Sequence, residues 1–254
     1  MLVTIIIPIY GNIELLNDSL SSAVRQTYKK CEILIVDDGS KQKVKIKKII
    51  KKYESNNSKR IKLISYKKNR GVAHALNRGI SSANGDFIAW LSHDDIFINS
   101  KIEKQILMFK NKKIQIVSSN FIEWNVSNNF FLNRCLKNNY FKDTLKSLLT
   151  NEKLHGCSLV LRKKCFNKIG LFDESLKHTQ DYDMWIRLSK KFKFYHLNEV
   201  LLISRNHSNQ SSRLNVSESL KEKENLFSRY SDNINLTLLE KFILLMKKFI
   251  RKII

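Results

Sequence analysis

The sequence predicts an α/β protein: a mostly parallel sheet with helices on both faces. Three observations carry this. Strand-like and helix-like patterns alternate from the N-terminus to Leu91. Residues 3–7 and 87–91 are continuous apolar or β-branched runs of the kind that forms buried strands. The third is the placement of Asp: six of the eleven lie in Asp37-Asp38, Asp94-Asp95 and Asp181/Asp183, two of these pairs closing strong strand runs.

The elements follow in order. Residues 3–7 are a β-branched run, with Pro8 expected to end it. Asn12 is placed to cap a helix over residues 13–25, with Leu15, Leu16, Leu20, Ala23 and Val24 inward. Residues 32–36 are a second strand, followed by the loop Asp37-Asp38-Gly39-Ser40. A Lys-rich helix spans 43–53, and a third strand 60–65. Asn69-Arg70-Gly71 is a turn before a helix over 72–83, which Asn84-Gly85 should end in the left-handed manner. A fourth strand, 86–91, runs into Ser92-His93-Asp94-Asp95. Beyond it the pattern predicts a helix over 99–110, a strand over 114–118, a helix over 142–150 and an apolar strand over 155–161. A short helix over 163–169, a helix over 179–188 and a last strand over 194–204 follow. Residues 120–139 carry no clear period.

The chain has 254 residues, 43% of them hydrophobic, enough for one large domain with an appendage. Its 46 Lys and Arg against 23 Asp and Glu give a net charge of +23. That excess points to nucleic acid, an anionic membrane surface or an anionic substrate. A basic stripe with interleaved aromatics is missing, which argues against nucleic acid. Four cysteines without a C-x-x-C pair read as reduced thiols. The N-terminus reads as a strand rather than a leader, and no apolar run is long enough to span a bilayer.

In parallel sheets ligands bind at the carboxyl ends of the strands. Pro8-Ile9-Tyr10, Asp37-Asp38 and Asp94-Asp95 all fall there. Adjacent buried carboxylates repel unless a cation or hydrogen-bond donors offset them, and a hard divalent ion such as Mg²⁺ or Mn²⁺ suits oxygen ligands. The expectation is one site holding a metal and a nucleoside diphosphate.

The ordered set IIIPIY, ILIVDDGS, NRGVAHALNRGISSANGDFIAWLSHDD, GLFDE, TQDYDMWIRL and RNHSNQSS resembles the family-2 inverting glycosyltransferases of the GT-A fold. The likeness spans residues 1–212, and it implies roles. Pro8 and Tyr10 match the loop that packs on the nucleotide base. Asp38, with Asp37, matches the carboxylate that bonds the base. Asp94 matches the ribose contact, Asp95 the metal ligand, and Asp181 the general base. His207 matches a His that approaches the metal or diphosphate. Three positions depart from the pattern: Ser92 replaces the first Asp of D-x-D, Gln180 replaces a Glu, and Leu76 replaces an Arg whose contact falls to Arg70 or His74. Trp185, His155 and Cys157 read as core.

The expected protein is therefore a GT-A catalytic domain over 1–212 with a helical extension over 213–254. It takes a sugar from a nucleotide donor, a UDP-sugar by the resemblance, with Mn²⁺ or Mg²⁺, and places it on a glycan or lipid-linked acceptor. Residues 236–254 repeat apolar side chains at helical spacing opposite five basic ones, the pattern of a helix lying on an anionic membrane surface. The expected location is cytoplasmic, peripheral on the membrane's cytoplasmic face. The competing readings are a nucleic-acid-binding protein, a nucleotidyltransferase and a non-catalytic glycan- or membrane-binding member. A nucleotidyltransferase would need a Gly-rich basic loop that Ile9-Tyr10-Gly11-Asn12 lacks.

Overall fold

Apolar runs in this chain find each other as one sheet. The protein is described from a computed structural model covering residues 1–57, 60–135, 154–207 and 216–231. Its strands are β1 (Val3–Ile9), β2 (Cys31–Asp37), β3 (Ile61–Ser65), β4 (Phe87–Trp90), β5 (Ile96–Phe97), β6 (Ile116–Asn125), β7 (Phe130–Arg134), β8 (Val160–Arg162) and β9 (Phe194–Asn206). The helices are α1 (Leu16–Val24), α2 (Lys43–Asn57), α3 (Val72–Ser82), α4 (Lys101–Met108), α5 (Phe166–Ile169), α6 (Gln180–Ser189) and α7 (Val216–Ser231).

The sheet runs β3-β2-β1-β4-β8-β6-β9-β5, with β7 beside β6. Its first four strands are parallel, joined by helices, and β1 and β2 are buried at every position. The second part is mixed. β8 lies antiparallel between β4 and β6, while β6 and β9 are parallel. The topology brings the ends of β1, β2 and β4 to one edge, as parallel order requires.

Several local expectations are corrected. Pro8 does not end β1; it pairs opposite Val36 inside the strand. Ile6 accepts from Leu91 N on the β4 side and Ile9 from Asp38 N on the β2 side. Alternation turns Pro8 towards β4, whose pairing has stopped at Ile6 and Trp90, so its missing N–H costs no ladder bond. Asn12 does not cap α1: its Oδ1 accepts from Glu14 N in a local turn, and Leu15 precedes the helix. Gly85 is not left-handed. It is needed because a Cβ there would lie 2.6 Å from Thr4 N and Oγ1. The strand expected over 155–161 begins with a 3₁₀ turn, Gly156–Ser158, and becomes β8 only at Val160. Gly156 lets this turn meet Trp90, whose ring a Cβ would approach to 2.8 Å.

Trp90 stacks on Trp185 at 5.0 Å and 5°, and Trp185 is fully buried, as read. The unpatterned stretch after Asn120 holds the end of β6 and the β6–β7 hairpin. Helix α7 belongs to the same core, through Leu226 and Tyr230. The helix expected over 142–150 and the amphipathic segment 236–254 lie outside the described residues. Among the described residues no helix is long and apolar enough to cross a membrane.

Candidate active site

Asp95 follows β4 and turns inward. Its side chain is 3% exposed, and its Oδ1 accepts the backbone N–H of Arg205, at 3.0 Å, on β9. It also accepts from the Cys157 thiol and the Ser204 hydroxyl. Burial, then the neighbouring Asp94, pushes its carboxyl well above the usual range. Asp94 points the other way. Its Oδ2 lies 3.1 Å from Nε2 of His207, and both side chains keep some exposure. Arg205 holds this corner: it donates to the Asp94 carbonyl, to Asp18 Oδ2 at 2.7 Å and to Leu15 O.

His155 connects these groups. Its Nδ1 accepts the Cys157 N–H at 3.2 Å, so Nε2 carries the proton. Nε2 lies 3.1 Å from Ser204 Oγ and 3.7 Å from Asp95 Oδ2. Burial lowers the basicity of the ring, against the fields of Asp181, Asp94 and Glu123. Cys157 also receives the backbone N–H of Ser92 at 3.2 Å. A thiol-bearing residue thus stands beside the position where the resemblance implies the first D-x-D carboxylate.

Asp181 lies in the first turn of α6, with Oδ1 accepting the Tyr182 N–H at 2.8 Å. A helix N-terminus by itself favours an ionised carboxylate. The shift is upward instead, because burial outweighs the Tyr182 N–H and the field of His155. Glu222 of α7 takes the N–H groups of Lys177, His178 and Thr179 and the Thr179 hydroxyl. That carboxylate anchors the start of α6, and Tyr230 donates to Asp183 beside it.

At the other end of the edge, Asp37 is fully buried. Its oxygens accept from Ser40 N at 2.8 Å and Ser65 Oγ at 2.7 Å, so it shapes the loop. Asp38 takes Arg70 N and Gly71 N on Oδ2, at 3.0 and 2.8 Å. Its Oδ1 carries only a 3.2 Å contact from Arg70 N. Pro8 is buried in the sheet, whereas Tyr10 is 54% exposed at its edge. Arg70 is exposed; His74 is buried against Glu174 Oε2 at 3.0 Å.

Two donor sets invite a metal. The carboxylate, imidazole and thiol of Asp95, His155 and Cys157 lie within 4.8 Å of one another. Within the first set His155 Nδ1 accepts the Cys157 N–H, and Asp95 accepts from Arg205 N, Ser204 and Cys157. Asp94 Oδ2 and His207 Nε2, 3.1 Å apart on partly buried side chains, offer an oxygen and a nitrogen. Asp95, to which the resemblance gives the metal role, lies in the first set, and Asp94 and His207 form the second. His155, Arg205 and Glu222 were missed. Their roles come from contacts 40 to 190 residues away along the chain, which no local pattern carries.

Residues 4–170 match the family model described as Glycosyl transferase family 2. The chain belongs to that family. It is 37% identical over 237 residues to an uncharacterized glycosyltransferase of Rickettsia prowazekii, covering 90% of this chain and 71% of that one. It is 31% identical over 211 residues to the Escherichia coli UDP-Glc:alpha-D-GlcNAc-diphosphoundecaprenol beta-1,3-glucosyltransferase WfgD, covering 83% of this chain and 79% of that one. Among solved structures, Staphylococcus aureus TarS 1-349 in complex with UDP-GlcNAc superposes with a TM-score of 0.72 at 20% identity, covering 96% and 70%. A Pyrobaculum calidifontis mannosyltransferase in complex with GDP-Man and Mn²⁺ gives 0.68 at 16%, covering 95% and 67%. The fold of this glycosyltransferase is thus the GT-A fold, and the protein is an enzyme.

Proposed function

We propose that this enzyme moves a sugar from a UDP-linked donor to a hydroxyl of a lipid-linked glycan precursor, with inversion. The observation that carries the reading is the meeting of Asp94, His207, His155 and Asp181 where β4, β9 and α6 begin or end. The E. coli relative's printed donor and diphosphoundecaprenol acceptor support the substrate class.

Tyr10 is free to stack on the base, and Asp38 Oδ1 to accept its imide N–H. Arg70 is exposed at the rim where a diphosphate would lie. Asp94 and His207 would hold the divalent ion, which when bound offsets the charge of the diphosphate leaving group. Asp181 removes the proton from the acceptor hydroxyl as its oxygen attacks the anomeric carbon. The anomeric C–O bond breaks on the opposite face, and its electron pair leaves with the diphosphate. Burial raises the basicity of Asp181, so transfer fails on acidification at a higher pH than for an ordinary carboxylate. The basic amphipathic segment 236–254 would hold the enzyme at an anionic cytoplasmic membrane face, where such an acceptor lies.

Thermal unfolding with UDP- and GDP-sugars, each with Mn²⁺ and with EDTA, tests the donor. A UDP-sugar should raise the midpoint only with metal. Asp181→Asn should keep that shift and lose about 10²–10⁴-fold in transfer to an undecaprenyl-diphosphate-linked acceptor. Normal transfer by that variant would remove Asp181 from the mechanism.

A further inference from the structure

The β6–β7 hairpin leaves the sheet beside the active-site edge and exposes apolar side chains on both faces. Phe130, Phe131 and Leu132 of β7 are 58%, 52% and 39% exposed. Successive strand residues point to opposite faces, so neither face is polar. Trp124 of β6 sits opposite Phe131 and stacks on it at 5.6 Å and 11°. Val126 at the turn is also exposed. A bare apolar edge strand invites aggregation, and proteins usually blunt it with charge. Here the reverse holds. Residues 124–133 carry no charge in a chain that is 27% charged. The nearest charges on either side, Glu123 and Arg134, neutralise each other at 2.9 Å.

The turn is also prepared for a medium poor in water. Asn125 Oδ1 accepts Ser127 N, Asn128 Oδ1 accepts Phe130 N, and Asn129 Oδ1 accepts the Trp124 indole N–H. Val126 N donates to Asn206 O. These bonds lower the cost of taking the turn's polar groups out of water.

We propose that this hairpin enters the interface of an anionic bilayer as an uncharged wedge. A flat protein partner would cover one face and leave the other wet, whereas lipid closes around both. Trp and Phe suit the headgroup boundary, and the net charge of +23 draws the molecule to anionic headgroups. The placement is specific. Trp124 and Asn125 pair with Arg205 and Asn206 of β9, immediately before His207. The wedge therefore sets the active-site rim against the membrane surface. Its binding to lipid does not depend on the proposed donor or acceptor.

The test uses the full chain and phosphatidylcholine vesicles containing phosphatidylglycerol. Phe130→Ser/Phe131→Ser/Leu132→Ser should lower vesicle partitioning by about tenfold or more. Its thermal midpoint should hold, since the replaced side chains are exposed. Brominated acyl chains should quench Trp fluorescence in the unaltered chain, and Trp124→Phe should remove that quenching. Trp90 and Trp185, buried in the core, lie out of reach. The quenching measurement decides even if the triple variant folds poorly. Bound protein without quenching, or equal partitioning of the folded variant, overturns the proposal. So does a variant that only breaks a dimer, which would make a second copy the occupant.

Discussion

Two adjacent aspartates stand at the end of β2 and two after β4, and within each pair the two carboxylates meet different partners. After β2, Asp37 is fully bonded within the fold, and Asp38 keeps an oxygen towards the site edge. After β4 the order is reversed. Asp95 is saturated by Arg205, Ser204 and Cys157, and Asp94 faces His207. Such a pair is one anchor and one tool, and rank within the pair does not tell which is which.

The sharpest way to break this comparison is to alter the second pair one residue at a time. Asp94→Ala should cut transfer by about 10²–10³-fold and abolish the metal-dependent donor shift, with little change in the unfolding midpoint. Asp95→Ala should destabilise the fold by about 2 kcal/mol, because its donors lose their acceptor in the interior. If Asp95→Ala stays as stable as the parent while losing metal-dependent binding, the roles revert to the sequence-based assignment. The first pair should split similarly but more gently. Asp37→Ala should lower stability by about 1–2 kcal/mol, and Asp38→Ala should mainly raise the donor KM. Equal losses of stability in both would mean that Asp38 too is only an anchor.

The smallest effect concerns a buried cation beside the second pair's network. Lys101 is fully buried, with Gln105 Oε1 at 2.6 Å and the Phe97 ring below it. Burial pulls its pKa from 10.5 down to about 7. Between these values the unfolded chain holds a proton that the folded chain has lost. This contribution therefore raises stability from about pH 7 towards 10.5; the penalty is complete below the folded value. Lys101→Met should flatten the rise in unfolding midpoint measured between pH 7 and 9. An unchanged slope would mean that Lys101 is charged in the interior.

The two halves of the sheet were not equally legible. In the parallel half β1 and β2 are buried at every position and every connection is a helix, so local pattern and global order agree. In the mixed half, β6 continues past its apolar start into Trp124 and Asn125, held by pairing with β9 rather than by its own hydrophobicity. The His155 turn was misread as strand because its apolar neighbours look like one. Its bend depends on Gly156 fitting against Trp90, 66 residues earlier.

The sequence by itself determined the fold class, the strand ends where carboxylates gather, and Asp94, Asp181 and His207 as residues to watch. The first two rest on local order, which composition and period record; the roles of Asp94, Asp181 and His207 are what the family resemblance implies. Only the tertiary structure decided that His155 links the carboxylates and that Glu222 anchors α6. Those assignments depend on which donors a buried oxygen meets from distant strands and helices. A carboxylate's chemistry follows from its partners and its exposure, and chain folding sets both.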